Sequence, residues 1–419
     1  MYPGYKSDYL PIFALMQFQS IAGQHAIKEQ LVQMVQHNRL SHALLFLGKE
    51  GGGALQLAMA FAQYVVCDKV NGRRQKAAEP SLFGEPDPGS GIRDLASGTD
   101  SCGQCPACKK AAELIHPDIH FSYPVIPRKS GDKPLSTDYI QEWRQFVAKN
   151  PYGNVYDWLQ FIDAENKQGN ITAHECNDII RKLNLKSFES EYKILIMWMP
   201  EFLGKEGNKL LKLIEEPPPN TLFILVAQNE DLILPTILSR TQLVKIPLLS
   251  NQDVEAALEL NEGVAPEKAR QAAAVAEGNY REALQVLQHA DDDWEAMLRE
   301  WLNAVIKTGP LAQVKWIDEA AKLGREKQKQ FLRYFIHLLE QAIRLRVMGD
   351  TASGQQSSDR DFALRLNRLC AIEQQEAIIT ELDKASYYIE RNANAKMLFH
   401  ALSIRLYHII NNKSLILVN

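Results

Sequence analysis

Three cysteines, Cys102, Cys105 and Cys108, stand with two residues between neighbours in SCGQCPACKK, and a fourth, Cys67, ends the helical pattern that precedes them. Four thiolates satisfy a tetrahedral zinc ion, and gaps of this length let a tight turn bring neighbouring sulfurs onto one metal at about 2.3 Å. The residues between Cys67 and Cys102 only close a loop, at an entropic cost that grows slowly with length. The spacing points to zinc rather than free thiols. An iron–sulfur cluster also takes four cysteines, but no redox-cofactor pattern accompanies these. With every coordination position filled by protein, no place is left for water or substrate, so the metal is expected to be structural. Cys176 and Cys370 each stand alone in an apolar helical pattern and read as small core residues.

A second chemical signal follows the strand-like HALLFL, which runs straight into Gly48-Lys49-Glu50-Gly51-Gly52-Gly53-Ala54-Leu55 and then a helical pattern. That is the strand–loop–helix context of a phosphate-binding loop. A working loop needs a lysine on the β- and γ-phosphates and a hydroxyl on magnesium, at the two places held here by Ala54 and Leu55. Lys49 follows the first glycine, on the wrong side of the loop for a simple substitution. A glycine-rich turn tolerant of positive φ accounts for Gly48, Gly51, Gly52 and Gly53 equally well. The apolar run Lys193–Met197 should end in the acidic pair that holds magnesium and orients water, yet Trp198 and Met199 follow it. Glu201 comes after Pro200 and is expected at the surface. Two separate losses predict that ATP or ADP, whether or not it binds, is not hydrolysed by this chain.

These groups need elements to hold them. Near-continuous apolar runs at Ala43–Leu47, Ile119–Val125, Lys193–Met197, Leu222–Ala227 and Leu243–Ile246 alternate with helical patterns, which predicts a parallel sheet covered on both faces. Residues 69–100 shift to Gly, Pro, Ser and charge and read as a mobile insertion, and Pro127–Asp138 reads as irregular. Beyond Pro247 strand signals nearly vanish. Ser250 and Asp253 announce a helix start, and Asp291, Asp292 and Asp293 are placed to cap another. Trp294, Leu298, Trp301 and Val305 fall on one helical face, and Phe331, Phe335, Leu338, Leu339, Ala342 and Leu345 on another, as in a helix bundle. Gly349–Arg360 reads as a polar loop.

At 419 residues the chain is too long for one core. Its 46% hydrophobic and 23% charged residues are those of a globular protein rather than a disordered one. A formal net charge of -4 argues against a broad basic face for nucleic acid. The start MYPGYKSDYLPIFALMQF lacks the order of a signal peptide, and no apolar run is long enough to span a bilayer, so a cytoplasmic protein without membrane contact is expected. The first fifteen residues read as a tail or a misassigned start before Met16.

Taken in order, FQSIAGQ, the glycine loop, the cysteine cluster, IHPDIHF, NKLLKLIEEPPPNTLFILVA, ILPTILSRT and GNYREAL resemble the delta-prime and gamma/tau clamp-loader subunits of bacterial DNA polymerase III, from about Met16 to Leu284. The resemblance implies an α/β AAA+ parallel-sheet domain at 16–248 with an inserted zinc module at 67–108. A small helical lid at 249–290 and an all-α collar domain at 291–419 would follow. It implies a non-hydrolysing delta-prime subunit working beside gamma/tau and delta subunits, and reaching the sliding clamp and primer-template DNA through the complex. Ser239-Arg240-Thr241 matches the family's SRC motif, with threonine where cysteine is usual. Arg240, next to Ser239, is thereby implied as an arginine finger acting in trans on a neighbour's ATP. Read without the resemblance, it could simply complement a helix dipole.

Arg281 of GNYREAL matches the family's nucleotide-sensing arginine, or pairs with Glu277 one turn earlier. Glu215 and Glu216 place negative charge at a helix end that disfavours it, which marks either a partner-facing surface or an ordinary solvent-exposed stop before Pro217. Two rival readings stay open at this point. One is a gamma/tau-like ATPase with a divergent loop that uses Lys49, and the other a free-standing zinc-dependent DNA-binding protein.

Overall fold

A computed structural model describes residues 16–72, 98–129, 131–164, 167–288, 294–348, 357–390 and 393–412. The expected tail at 1–15, most of the insertion at 69–100 and the acidic cap at 291–293 lie outside the described residues. The chain forms two compact units, Met1–Leu284 and Gln285–Asn419.

In the first unit five strands, β1 (Ala43–Gly48), β2 (Ile119–Ser122), β3 (Lys193–Trp198), β4 (Thr221–Ala227) and β5 (Gln242–Ile246), pair in the order β2-β3-β4-β1-β5. Every pairing is parallel. All five fall on the apolar runs predicted from sequence. β2 stops short of the expected end, and Val125 makes only an isolated antiparallel bridge to Asn170.

Successive residues of a strand point to opposite faces; in β1, β3 and β4 both faces are buried, which is why those runs are nearly continuously apolar, whereas the edge strand β5 leaves Gln242, Leu243 and Lys245 exposed. Leu44, Phe46, Ile194, Ile196, Ile224 and Val226 join the core beneath helices α1 (His25–Gln36) and α2 (Ala54–Val66). Leu45, Leu195, Met197, Phe223 and Leu225 face the other core, with Ile179 and Leu183 of the helix Ala173–Leu183. α2 is mostly apolar, with Gln56 and Gln63 among its residues, and is buried along its length, so it is an internal strut behind the glycine loop.

Ser250 and Asp253 form a reciprocal capping box at the start of the helix Asn251–Glu262, which Gly263 ends in the left-handed conformation. This satisfies exposed backbone groups at both ends.

The second unit is helical throughout its described residues. Its core is built on Trp301 stacked against Trp316 at 4.8 Å, with Phe331, Phe335 and Phe399 packed on Trp301. The buried indole of Trp301 donates to Ser403 Oγ at 2.9 Å, so its polar edge is satisfied. Both aromatic stripes read from the sequence enter this core. Of the loop expected at Gly349–Arg360, residues 357–360 lie in the helix Ser357–Leu369, and 349–356 lie outside the described residues. No described helix is long and apolar enough to cross a membrane.

Candidate functional site

Cys67 caps the C-terminus of α2, and Cys108 lies in the short helix Pro106–Ala112, for which Cys105 is the N-cap. Gly103, at φ +66°, turns the chain between Cys102 and Cys105. The four sulfurs lie within 4.8 Å of one another. A tetrahedron of sulfurs at 2.3 Å from its centre has edges of about 3.8 Å, and Cys102 Sγ and Cys108 Sγ are 3.9 Å apart.

Backbone amides are aimed at three of the sulfurs. Cys102 N donates to Cys67 Sγ, Cys105 N to Cys102 Sγ and Cys108 N to Cys105 Sγ, each at 3.4 Å. The hydrogen bond from Cys108 brings the Cys67 thiol down to about 4, while burial pushes Cys105 up to about 11. Cys108 is driven upward by the same bond to Cys67, then by burial and by the neighbouring negative charge. Four thiolates at this spacing need a cation, and the cluster can hold a metal ion.

The glycine loop bends between the end of β1 and the start of α2. Gly51 and Gly53 have φ of +74° and +85°. A Cβ on Gly51 would lie 1.8 Å from Asn279 Oδ1, so glycine is required there on both counts. Where a lysine and a hydroxyl would grip phosphate and magnesium, Ala54 offers a methyl group and Leu55 turns into the core. The strand-end acids are replaced by Trp198 and Met199, which are 4% and 5% exposed. Both line the cavity at the loop, together with Tyr152 and Gln228, and that cavity measures about 30 Å³. This is room for about one water.

Glu201 is half-buried rather than freely exposed at the surface as expected. Met199, at φ +58°, reverses the chain after β3. Glu201 Oε1 then accepts from the amides of Gln228 at 2.6 Å and Asn229 at 2.9 Å, where β4 ends. Burial raises its pKa against the pull of those two bonds. Its carboxylate secures the backbone past β4.

Arg281 is 7% exposed at its side chain. Nε and Nη2 donate to the two oxygens of Asp157 at 2.6 Å each, and Nη1 donates to Glu50 Oε1 at 2.8 Å. The neighbouring Tyr280 N donates to Gly51 O at 3.2 Å, and its ring packs on Tyr152 at 4.6 Å. Gln24 Nε2 reaches Gly52 O at 3.0 Å and Pro247 O at 2.7 Å. The loop is thus held by protein groups on every side that these residues approach. Glu50, Asp157, Gln24 and Tyr152 were not singled out from sequence. Their partners are distant in the chain, and no local spacing announces them.

Arg240 follows the helix Pro235–Leu238. Nη1 donates to Thr236 O at 2.9 Å and reaches Ser239 Oγ at 3.3 Å, while Nε faces Glu215 Oε2 at 3.2 Å. Neither Arg240 nor Ser239 lines the cavity at the glycine loop. Lys49 is exposed, with its carbonyl accepting from Gly52 N at 3.2 Å.

Comparison with known proteins places these features in a family. The model of the family described as "DNA polymerase III, delta subunit" matches residues 23–81 and 93–250. DNA polymerase III subunit delta' of Bacillus subtilis is 24% identical over 247 residues, covering 59% of this chain and 54% of that protein. Subunit tau of the same organism is 24% identical over 324 residues, 75% of this chain and 45% of that protein. Subunit delta' of Escherichia coli is 23% identical over 320 residues, 75% of this chain and 74% of that protein. The chain spans about half the length of the two Bacillus subtilis relatives.

Proposed function

The chain belongs to the DNA polymerase III delta subunit family, and from that membership we propose that it is the delta-prime-type subunit of a bacterial clamp loader, one that does not itself hydrolyse ATP. The observation that carries this reading is the pair of substitutions at the glycine loop and the strand end. Ala54 and Leu55 can neither neutralise a γ-phosphate nor ligate magnesium, and Trp198 and Met199 fill the space where the acids and the attacking water would sit. A cavity of about 30 Å³ supports the same conclusion, because a nucleoside triphosphate needs a site of several hundred Å³.

Its contribution to hydrolysis is made at a neighbour. Arg240, flanked by Ser239 and Thr241, is supplied in trans to ATP bound by an adjoining gamma/tau subunit. A guanidinium placed on the transferring phosphoryl group is worth about 10³ to 10⁵ in rate. In this assignment residues 16–248 form the AAA+ domain, 249–290 its lid and 291–419 a collar segment that joins the oligomer. Delta and gamma/tau are its direct partners, and the sliding clamp and primed DNA are met through the complex.

Cys67, Cys102, Cys105 and Cys108 hold zinc in this reading. The all-sulfur donor set, the amide-to-sulfur bonds and the absence of a free coordination position make the ion structural.

The test is a reconstituted loader carrying Arg240→Ala. The complex should assemble normally and lose DNA-stimulated ATP hydrolysis by at least about tenfold. An unchanged rate in an intact complex would remove the role given to Arg240.

A further inference from the structure

Asp100, two residues before Cys102, grips the first described turn of the chain. Its Oδ1 accepts from the amides of Phe18 at 3.1 Å and Ser101 at 2.7 Å, and Oδ2 accepts from Gln19 N at 2.9 Å. Gln17 Nε2 donates to Ser101 O at 2.7 Å. Ser101 Oγ accepts from Gln63 Nε2 of α2 at 2.9 Å, between side chains that are buried. The Gln17 amide also lies over Gly103, where an added Cβ would come within 3.0 Å of Nε2. Residues 17–19 are therefore fastened to the two residues that lead into the cysteine turn and to the glycine inside it.

From there the same stretch runs to the glycine loop. Ala22 N donates to Tyr152 Oη at 3.2 Å, and Tyr152 lines the cavity. Gln24 then bonds to Gly52 O and Pro247 O. Segment 17–24 is a continuous strap with the cysteine cluster at one end and the glycine loop at the other.

We propose that the metal centre positions this strap, and through it the glycine loop, with Asp100 and Ser101 as the link. The inference rests on the reading of the cysteines as a metal site. Cys102 and Cys105 are only half-buried, at the margin of the core that takes in Cys67 and Cys108, so apolar packing holds their part of the turn less firmly than the rest. Without a cation, no covalent or coordination bond ties the four cysteines together, since none of them is in a disulfide. The turn then has no reason to keep its shape, and the carboxylate and carbonyl presented at Asp100 and Ser101 move with it. Charge-assisted bonds from Phe18 N and Gln19 N to Asp100 lose their geometry, and the strap opens locally. This gives the cluster a role beyond its own module: it fixes the segment that Gln24 uses to hold the backbone of a loop which has lost its phosphate ligands.

The test uses the full chain, loaded with zinc and assayed for metal content, with hydrogen–deuterium exchange read on peptides covering 17–24, 49–53 and β4. Chelation should speed exchange by about tenfold or more in 17–24 and 49–53 while leaving β4 protected. Asp100→Asn keeps the shape but removes one acceptor oxygen and the negative charge that serves the amides of Phe18, Gln19 and Ser101. In the zinc-loaded chain it should release 17–20 with metal stoichiometry unchanged. Loss of zinc without a change in 17–24 overturns the coupling, and so does full protection of 17–20 in the zinc-loaded Asp100→Asn chain. A chain that never binds zinc overturns the metal reading and the coupling with it.

Discussion

Arg240 and Glu215 share one carboxylate oxygen: Glu215 Oε2 lies 3.2 Å from Arg240 Nε and 3.1 Å from Nη2. Glu215 ends the helix Leu211–Glu215, where a negative charge opposes the helix dipole. The pair accounts for that placement, since the guanidinium offsets the carboxylate. The arginine proposed as a finger thus rests on a carboxylate of its own chain. Glu215 is 56% exposed at its side chain and Arg240 32%, so this contact is weak.

Glu215→Gln should therefore change folding stability by less than about 1 kcal/mol, measured by urea denaturation of the purified chain. A loss several times larger would make the pair a structural tie, and would count against Arg240 being available to a neighbour.

The contact between Arg281 and its two carboxylates is of a different kind. With the guanidinium nearly sealed from solvent, removing it strands Asp157 and Glu50 against each other. Arg281→Ala should cost about 3 kcal/mol and loosen the helices after Ser250, visible as faster proteolysis between 250 and 284. A variant as stable as the parent would show that Arg281 does not latch the loop.

Acid titration probes the buried glutamates. Glu175 Oε2 accepts from Ser136 N at 2.8 Å, and burial raises its pKa against that bond. Glu201 is raised by burial as well. Each folded-state carboxyl takes up its proton at a higher pH than in the unfolded chain. Their stabilising contribution is then complete below the unfolded glutamate value of about 4.3 and is lost as pH rises through the folded values. Asp178 works in the opposite sense. Although burial opposes it, bonds from Lys182 and Arg181 hold it below the usual range, so its contribution is lost only at lower pH. In the same range burial holds His116 and His120 below the ordinary imidazole value, and these two pull Tm down on acidification. The glutamate contribution is therefore read as a difference: between neutrality and the ordinary glutamate range, Glu175→Gln should lose Tm relative to the parent as pH falls, and a pH profile parallel to the parent's would contradict the assignment.

How much of this could be read without coordinates depended on chain distance. β1, β3 and β4 were legible because burial on both faces leaves a nearly unbroken apolar run. The cysteine cluster was legible because three of its four members are near neighbours in sequence. The bend of the glycine loop was legible because Gly51 and Gly53 take the positive φ that glycine allows. The latch was hidden, since Arg281 meets Asp157 and Glu50 across separations of 124 and 231 residues. Asp100 was hidden for the same reason, as its partners lie 82 and 81 residues away. Glu201 was misplaced because the left-handed turn at Met199, which sends it back under β4, has no glycine or asparagine to announce it.

Ala54, Leu55, Trp198 and Met199 carry no side chain able to grip phosphate or magnesium, and steady-state ATP hydrolysis by the purified protein reads the consequence. With magnesium and millimolar ATP, turnover should not exceed that of a protein-free blank. Sustained turnover that disappears in Lys49→Ala and persists in Arg240→Ala would contradict the account.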